Sequence, residues 1–126
     1  MSIVLDAGAL VAVERGDRAM IALIKGERDD DRAPVTHGGV IGEVWRGGRG
    51  RQAVLARALR GVDVRALDED LGRRAGVLLA RSGSSDVIDA AVVLIAEDGD
   101  EIFTSDPADL RDLAQTASKL VDLIPV

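Results

Sequence analysis

The chain is 126 residues long, carries a formal net charge of −6 and is 47% hydrophobic, with one Trp, one Phe and no Cys. That length suits one domain, residues 1–126, with a proper core. The missing cysteines exclude disulfides, thiolate zinc sites and thiol nucleophiles, and a single His excludes a histidine-rich metal centre, so any metal here is held by oxygen, as magnesium and manganese are.

Ser2 to Leu5 reads as a short apolar strand that stops at Asp6. Ala7 to Arg15 follows as a helix with Gly16 as terminator, and Asp17 caps a second helix, Arg18 to Lys25, ended by Gly26. Glu27 to Arg32 is a charged surface loop. Ala33 to Thr36 is a second strand, with Pro34 confined to its beginning or an edge. Gly38 to Arg46 is predicted helical because Val40, Ile41, Val44 and Trp45 recur at helical spacing.

Gly47 to Gly50 reads as a flexible break, and no Lys-Ser/Thr follows to make it a phosphate-binding loop. Arg51 to Arg60 is a helix, Val62 to Leu67 a third strand, and Asp68 caps a helix to about Arg81. After the Ser82–Ser85 loop comes an apolar helix from Val87 to Ala96 with Asp86 and Asp89 at its start. Glu101 to Thr104 is a fourth strand, Pro107 opens a helix capped by Asp106, and Lys119 to Ile124 is the last strand. Strands separated by helices predict right-handed crossovers and a parallel sheet covered on both faces.

No apolar run approaches membrane-spanning length and the first residues lack a basic leader, which predicts a soluble cytoplasmic protein with no membrane contact. Charge is uneven along the chain. Between Arg46 and Arg81 nine arginines face four acids, a surplus of five, so the remainder carries −11. A basic middle with acidic flanks permits a local patch for a polyanion.

In a sheet of this type ligands bind beyond the carboxyl ends of the strands, where strand order reverses. Asp6 and Asp106 both follow apolar strands, and they meet if those strands are neighbours at that point. Glu43 lies inside an apolar helix, between Gly39 and Gly47 on a face of little bulk that lets another element or a ligand approach. Asp86 and Asp89, three apart, share one face of their helix. Asp109 stands three residues after Asp106.

Each acid also has a structural reading. Asp6 and Asp106 suit helix caps, and the macrodipole favours Asp86 and Asp89 in a first turn. Several carboxylates at short range stay ionised together only if cations offset the repulsion. Magnesium fits, because it binds few carboxylates, keeps waters and takes substrate phosphate, and phosphodiester hydrolysis is the chemistry that follows.

The chain also resembles a known family. Ile3-Val4-Leu5-Asp6-Ala7, Val40-Ile41-Gly42-Glu43-Val44, Asp86-Val87-Ile88-Asp89-Ala90-Ala91 and Phe103 to Leu110 stand in the order of the PIN-domain ribonucleases, specifically the VapC-type toxins of type II toxin–antitoxin systems. That resemblance covers essentially the whole chain. It implies a Rossmann-like three-layer α/β/α sandwich with a parallel sheet, and a magnesium-dependent endoribonuclease (manganese serving as well). It implies Asp6, Glu43, Asp89 and Asp106 as catalytic acids and metal ligands, with Asp86 and Asp109 as supplementary ligands. Thr104 or Ser105 supports such a pocket by its hydroxyl. It further implies RNA as substrate, a cognate antitoxin as partner and a homodimer.

Many relatives carry Ser or Thr two positions after the first Asp, where this chain has Gly8. That departure supports the alternative, a non-catalytic PIN-like module that binds RNA or protein. Arg46, Arg49 and Arg51, with Arg57 and Arg60, are candidate contacts to an RNA backbone, against solvated helix faces or an antitoxin contact as the other accounts. Trp45 is expected in the core or an interface. His37 is expected to be an incidental loop residue.

Overall fold

Ile3, Val4 and Leu5 contain no polar side chain and form β1 (Ile3–Leu5), with each residue at most 1% exposed. A strand buried on both faces belongs at the centre of a parallel sheet. The computed structural model, which describes all residues Met1–Val126, places it there. The five strands are β1, β2 (Val35–His37), β3 (Asp63–Arg65), β4 (Glu101–Thr104) and β5 (Asp122–Pro125). They pair in the order β3-β2-β1-β4-β5, every pair parallel.

Seven helices connect them: α1 (Ala7–Glu14), α2 (Arg18–Asp29), α3 (Gly38–Val44), α4 (Gln52–Leu59), α5 (Glu69–Ser82), α6 (Val87–Ile95) and α7 (Pro107–Thr116). Helices α1 to α4 pack among themselves, as do α5 to α7. Right-handed crossovers then put one group on each face of the sheet, the α/β/α sandwich expected from the sequence. Both inner faces are lined by small and branched residues. Ala9, Leu10 and Val13 of α1 and Ala90, Val92 and Val93 of α6 are buried in one apolar cluster with β1 and Ile102.

Strand order reverses between β1 and β4, the neighbours that the acid argument required. Leu5 is in register with Phe103, and the Asp6 N–H donates to Phe103 O at 3.2 Å. The chain therefore leaves β1 and β4 side by side, with Asp6 and Asp106 at the same sheet end.

Several boundaries differ from expectation: the second strand is Val35–His37 rather than Ala33–Thr36, and the last is Asp122–Pro125 rather than Lys119–Ile124. Helix α2 runs through Gly26 to Asp29, because Gly26 keeps a helical backbone and the left-handed turn comes only at Asp31, φ 57°. Arg32 then folds back onto Glu27 and Asp30, at 3.2 and 3.3 Å. Strand β3 is shorter than the expected Val62–Leu67: it is an edge strand with a single neighbour, and all three of its residues are exposed. No helix is long and apolar enough to cross a membrane.

Candidate active site

Asp6 is 6% exposed and caps α1, its Oδ1 accepting the Ala9 N–H at 3.1 Å. Burial pushes its carboxyl above the usual carboxylate range, while the Thr104 hydroxyl and the N–H groups of Ala9, Gly8 and Ser105 hold it back toward the charged form. Thr104 is fully buried at the end of β4 and also accepts the Asp106 N–H at 2.9 Å. Thr104 thus stands beside both strand-end acids, favouring the charged form of Asp6 and accepting the backbone N–H of Asp106.

Asp106 sits at the N-cap of α7, yet its side chain caps nothing. Asp106 takes φ −127° and ψ 63°, away from the extended backbone of the capping residues Asp6 and Asp68, and its carboxylate is exposed and uncommitted to the helix. Asp86 divides its oxygens differently. It caps α6, Oδ1 accepting the Asp89 N–H at 3.0 Å. The shared helix face inferred for Asp86 and Asp89 is therefore a cap and its first turn.

Asp89 is the focus of the group. Its pKa is pushed up to about 7, first by desolvation and then by the negative charges of Asp86, Asp6, Glu43 and Asp106. Glu43, on α3, is raised by desolvation, Asp86 and Asp6. Acids from α3, α6 and the ends of β1 and β4 thus act on one another at the carboxyl end of the sheet. Asp109 lies one turn along α7 and shares a hollow of about 340 Å³ with Asp86 and Asp89, together with Asp112, which sequence reasoning missed.

The donor set is all oxygen, which suits a hard divalent cation. No three of the chain's Asp, Glu and His side chains converge tightly enough to hold an ion by themselves. Magnesium commonly takes one or two protein carboxylates and fills its shell with water and phosphate, so a spaced ring of acids meets its demand.

Gly8 acquires a physical explanation. A Cβ there would lie 2.5 Å from Ser105 Cβ and overlap Ser105 Oγ. The Ser105 side chain therefore fills the space in which a residue-8 hydroxyl would stand. Gly8→Ser is expected to destabilise the fold by about 1–3 kcal/mol through overpacking. Adding Ser105→Gly should recover most of that loss in urea denaturation.

His37 is fully buried, in contrast to the incidental loop residue expected. It ends β2, and its Nδ1 accepts the Gly39 N–H at 3.0 Å, so Nε2 carries the proton and donates to Ile88 O at 3.0 Å. This ring ties β2 and α3 to α6, one residue before Asp89. The bare face around Gly39 admits Ile88, whose Cδ1 a Cβ would overlap. An approach by another element was foreseen there; Gly47, φ 114°, lies beyond the helix instead.

The Gly47–Gly50 segment is not a loose break. Gln52 is 7% exposed and binds it with three hydrogen bonds: Oε1 accepts from Arg46 N at 2.7 Å and Gly48 N at 3.0 Å, and Nε2 donates to Val44 O at 2.6 Å. Arg46, Arg49 and Arg51 line one hollow of about 390 Å³ beside Glu43, whereas Arg60 lines a different one. Trp45 is partly exposed at the end of α3 rather than in the core. Gln52 was legible in principle, for it shares the α4 face of the buried Leu55 three residues on.

No family model matches the chain, and no curated protein matches it in sequence. Among solved structures it is similar to a chain of VapBC2 from Rickettsia felis, crystallised bound to a DNA fragment from its promoter. The two share 11% identity over 98% of each chain, with a TM-score of 0.69. At that identity the likeness is one of fold: the whole chain shares its architecture with that structure.

Proposed function

We propose that the protein is a magnesium-dependent endoribonuclease of the VapC-type PIN toxins, with manganese able to serve. The observation that carries this reading is the carboxylate ring around Asp89, built at the strand-order reversal where an α/β sheet binds its ligand. Asp6, Glu43, Asp89 and Asp106 are the catalytic acids, and with Asp86 and Asp109 they are the set from which one or two carboxylates at a time would hold a cation. A bound cation would activate water and neutralise charge on the scissile phosphate.

The chain's own contributions are distinct. Asp6 is buried and held by the Ala9 N–H at the start of α1. Asp89 stays partly protonated at neutral pH until a cation offsets its neighbours. Arg46, Arg49 and Arg51 provide positive charge for the RNA backbone next to the ring. A cognate antitoxin and a homodimer belong to the same reading. The antitoxin is supported by the VapBC2 complex in which the similar fold occurs.

The alternative of a non-catalytic module rested on the hydroxyl absent at Gly8. Ser105 stands where a Cβ at residue 8 would go and brings a hydroxyl of its own next to Gly8, which favours the catalytic reading. The test is cleavage of single-stranded and structured RNA, with new 5′ ends mapped. Magnesium is expected to permit cutting, EDTA to abolish it and added magnesium to restore it. RNA left intact at millimolar magnesium would overturn the nuclease assignment.

A further inference from the structure

The connection between α3 and α4 has a defined shape. Gly47, Gly48 and Gly50 take φ values of 114°, 73° and 60°, a left-handed region that other residues rarely enter. The Trp45 ring lies over Gly48, where a Cβ would be 2.7 Å from Cζ2. Arg46 Nη1 donates to Gly42 O at 3.1 Å and Trp45 O at 2.6 Å, closing the end of α3. Gln52 ties the start of the loop to its middle from below, through the three bonds already described.

No carboxylate neutralises the cations this loop presents. Arg32, Arg65, Arg73 and Arg74 each pair with an acid close in sequence. Arg46, Arg49 and Arg51 form no ion pair, although Glu14 and Glu43 line the same hollow. Glu43 also belongs to the carboxylate ring, so the hollow adjoins the ring directly. Arg49 and Arg51, which have no side-chain partner, and Arg46, whose Nη1 is anchored on Gly42 O and Trp45 O, stand beside a strongly acidic pocket and suit a ligand with several phosphates in a row, one at the ring and its neighbours at the arginines.

We propose that Gln52 is the positioning residue of a phosphate seat: it holds the loop so that Arg46, Arg49 and Arg51 grip the backbone of single-stranded RNA beside the acidic ring. This rests on the nuclease reading for the identity of the polyanion. Gln52 acts through the loop, and the arginines make the contact.

The test is fluorescence anisotropy of a labelled single-stranded RNA oligonucleotide in EDTA, where nothing is cut, over a series of salt concentrations. Removing one phosphate contact on a single strand lowers the slope of log K against log salt by about 0.7. Arg49→Ala and Arg51→Ala are each expected to show that drop. Gln52→Met keeps the side-chain length without the hydrogen bonds, and it should weaken binding about tenfold with a shallower slope. In cleavage assays its loss should fall on KM rather than on kcat. Gly48→Ala, which has no room beside Trp45, disturbs the same loop from the other side and should give the same split if Gln52→Met does not fold.

Wild-type affinity, slope and KM in folded Gln52→Met or Gly48→Ala and in both arginine variants would overturn the seat. RNA that binds through these arginines but is never cut would overturn the nuclease reading and leave the seat standing.

Discussion

Asp89→Asn is expected to cut RNA at least about a hundredfold more slowly than the wild type while melting at a higher temperature in EDTA at pH 8. Loss of groups that only support metal ligands commonly costs 10–100-fold in affinity or activity, so losing a ligand should cost more. The stability change has the opposite sign because of the charge crowd. The Asp89 carboxyl ionises near pH 3.8 when unfolded and near about 7 in the fold. Between those values the folded state binds more protons, so stability falls as pH rises through the window and the loss is complete above about 7.

Asn keeps the shape and removes the charge, so the variant escapes that loss. Asp89 is only half-buried, and solvent screening reduces the gain to a few degrees, at about 4 °C per kcal/mol for a chain of this size. Millimolar magnesium should raise the wild-type melting temperature, since an ion bound only by the folded state stabilises it by mass action. The same addition should leave Asp89→Asn almost unmoved. A variant that still gains stability from magnesium, and still cuts, would remove Asp89 from the site.

His37→Ala should produce the largest loss of stability, about 3–5 kcal/mol in urea denaturation. Truncating a large buried ring leaves a cavity, and the Gly39 N–H and Ile88 O both lose their partner. The ring also gives the protein an acid limit. Burial holds the His37 pKa below its ordinary 6.5, with the Ile88 bond opposing. The unfolded chain therefore takes up the proton first, so this contribution is intact above about pH 6.5 and is lost as pH falls toward the folded value.

Asp89, Asp6 and Glu43, all raised by burial, work in the other direction over part of the same range. The His37 effect should therefore be read as a difference: the stability gap between Asp89→Asn and an Asp89→Asn/His37→Ala double variant should narrow as pH falls below about 6.5. A gap that does not change with pH would show that His37 is not the group responsible.

What was legible in the chain follows from what is local. Apolar runs ending in acids located β1 and β4, and Asp17 and Asp68 announced the helices they cap, accepting from Met20 N and Leu71 N at 3.1 and 2.9 Å. The meeting of Asp6 and Asp106 needed only one long-range fact, that β1 and β4 are neighbours, and the switch-point rule anticipated it. The misses were residues whose meaning lies in distant partners. His37 looks idle until α6 arrives 51 residues later to receive its Nε2–H. Gln52 looks like a surface residue until the loop before it folds back over its amide. Gly26 resembled a terminator only because the true left-handed residue, Asp31, is not a glycine.

The three aspartates that begin helices at this end of the sheet differ in how tightly they are held. Asp6 is buried with one oxygen committed to Ala9 N, Asp86 is exposed with one oxygen committed to Asp89 N, and Asp106 has none committed to its helix. Their freedom to reorient rises in that order. Asp106 is thus the acid whose side chain can swing at the cost of its own torsions alone, while Asp6 stays fixed and the sheet keeps its register.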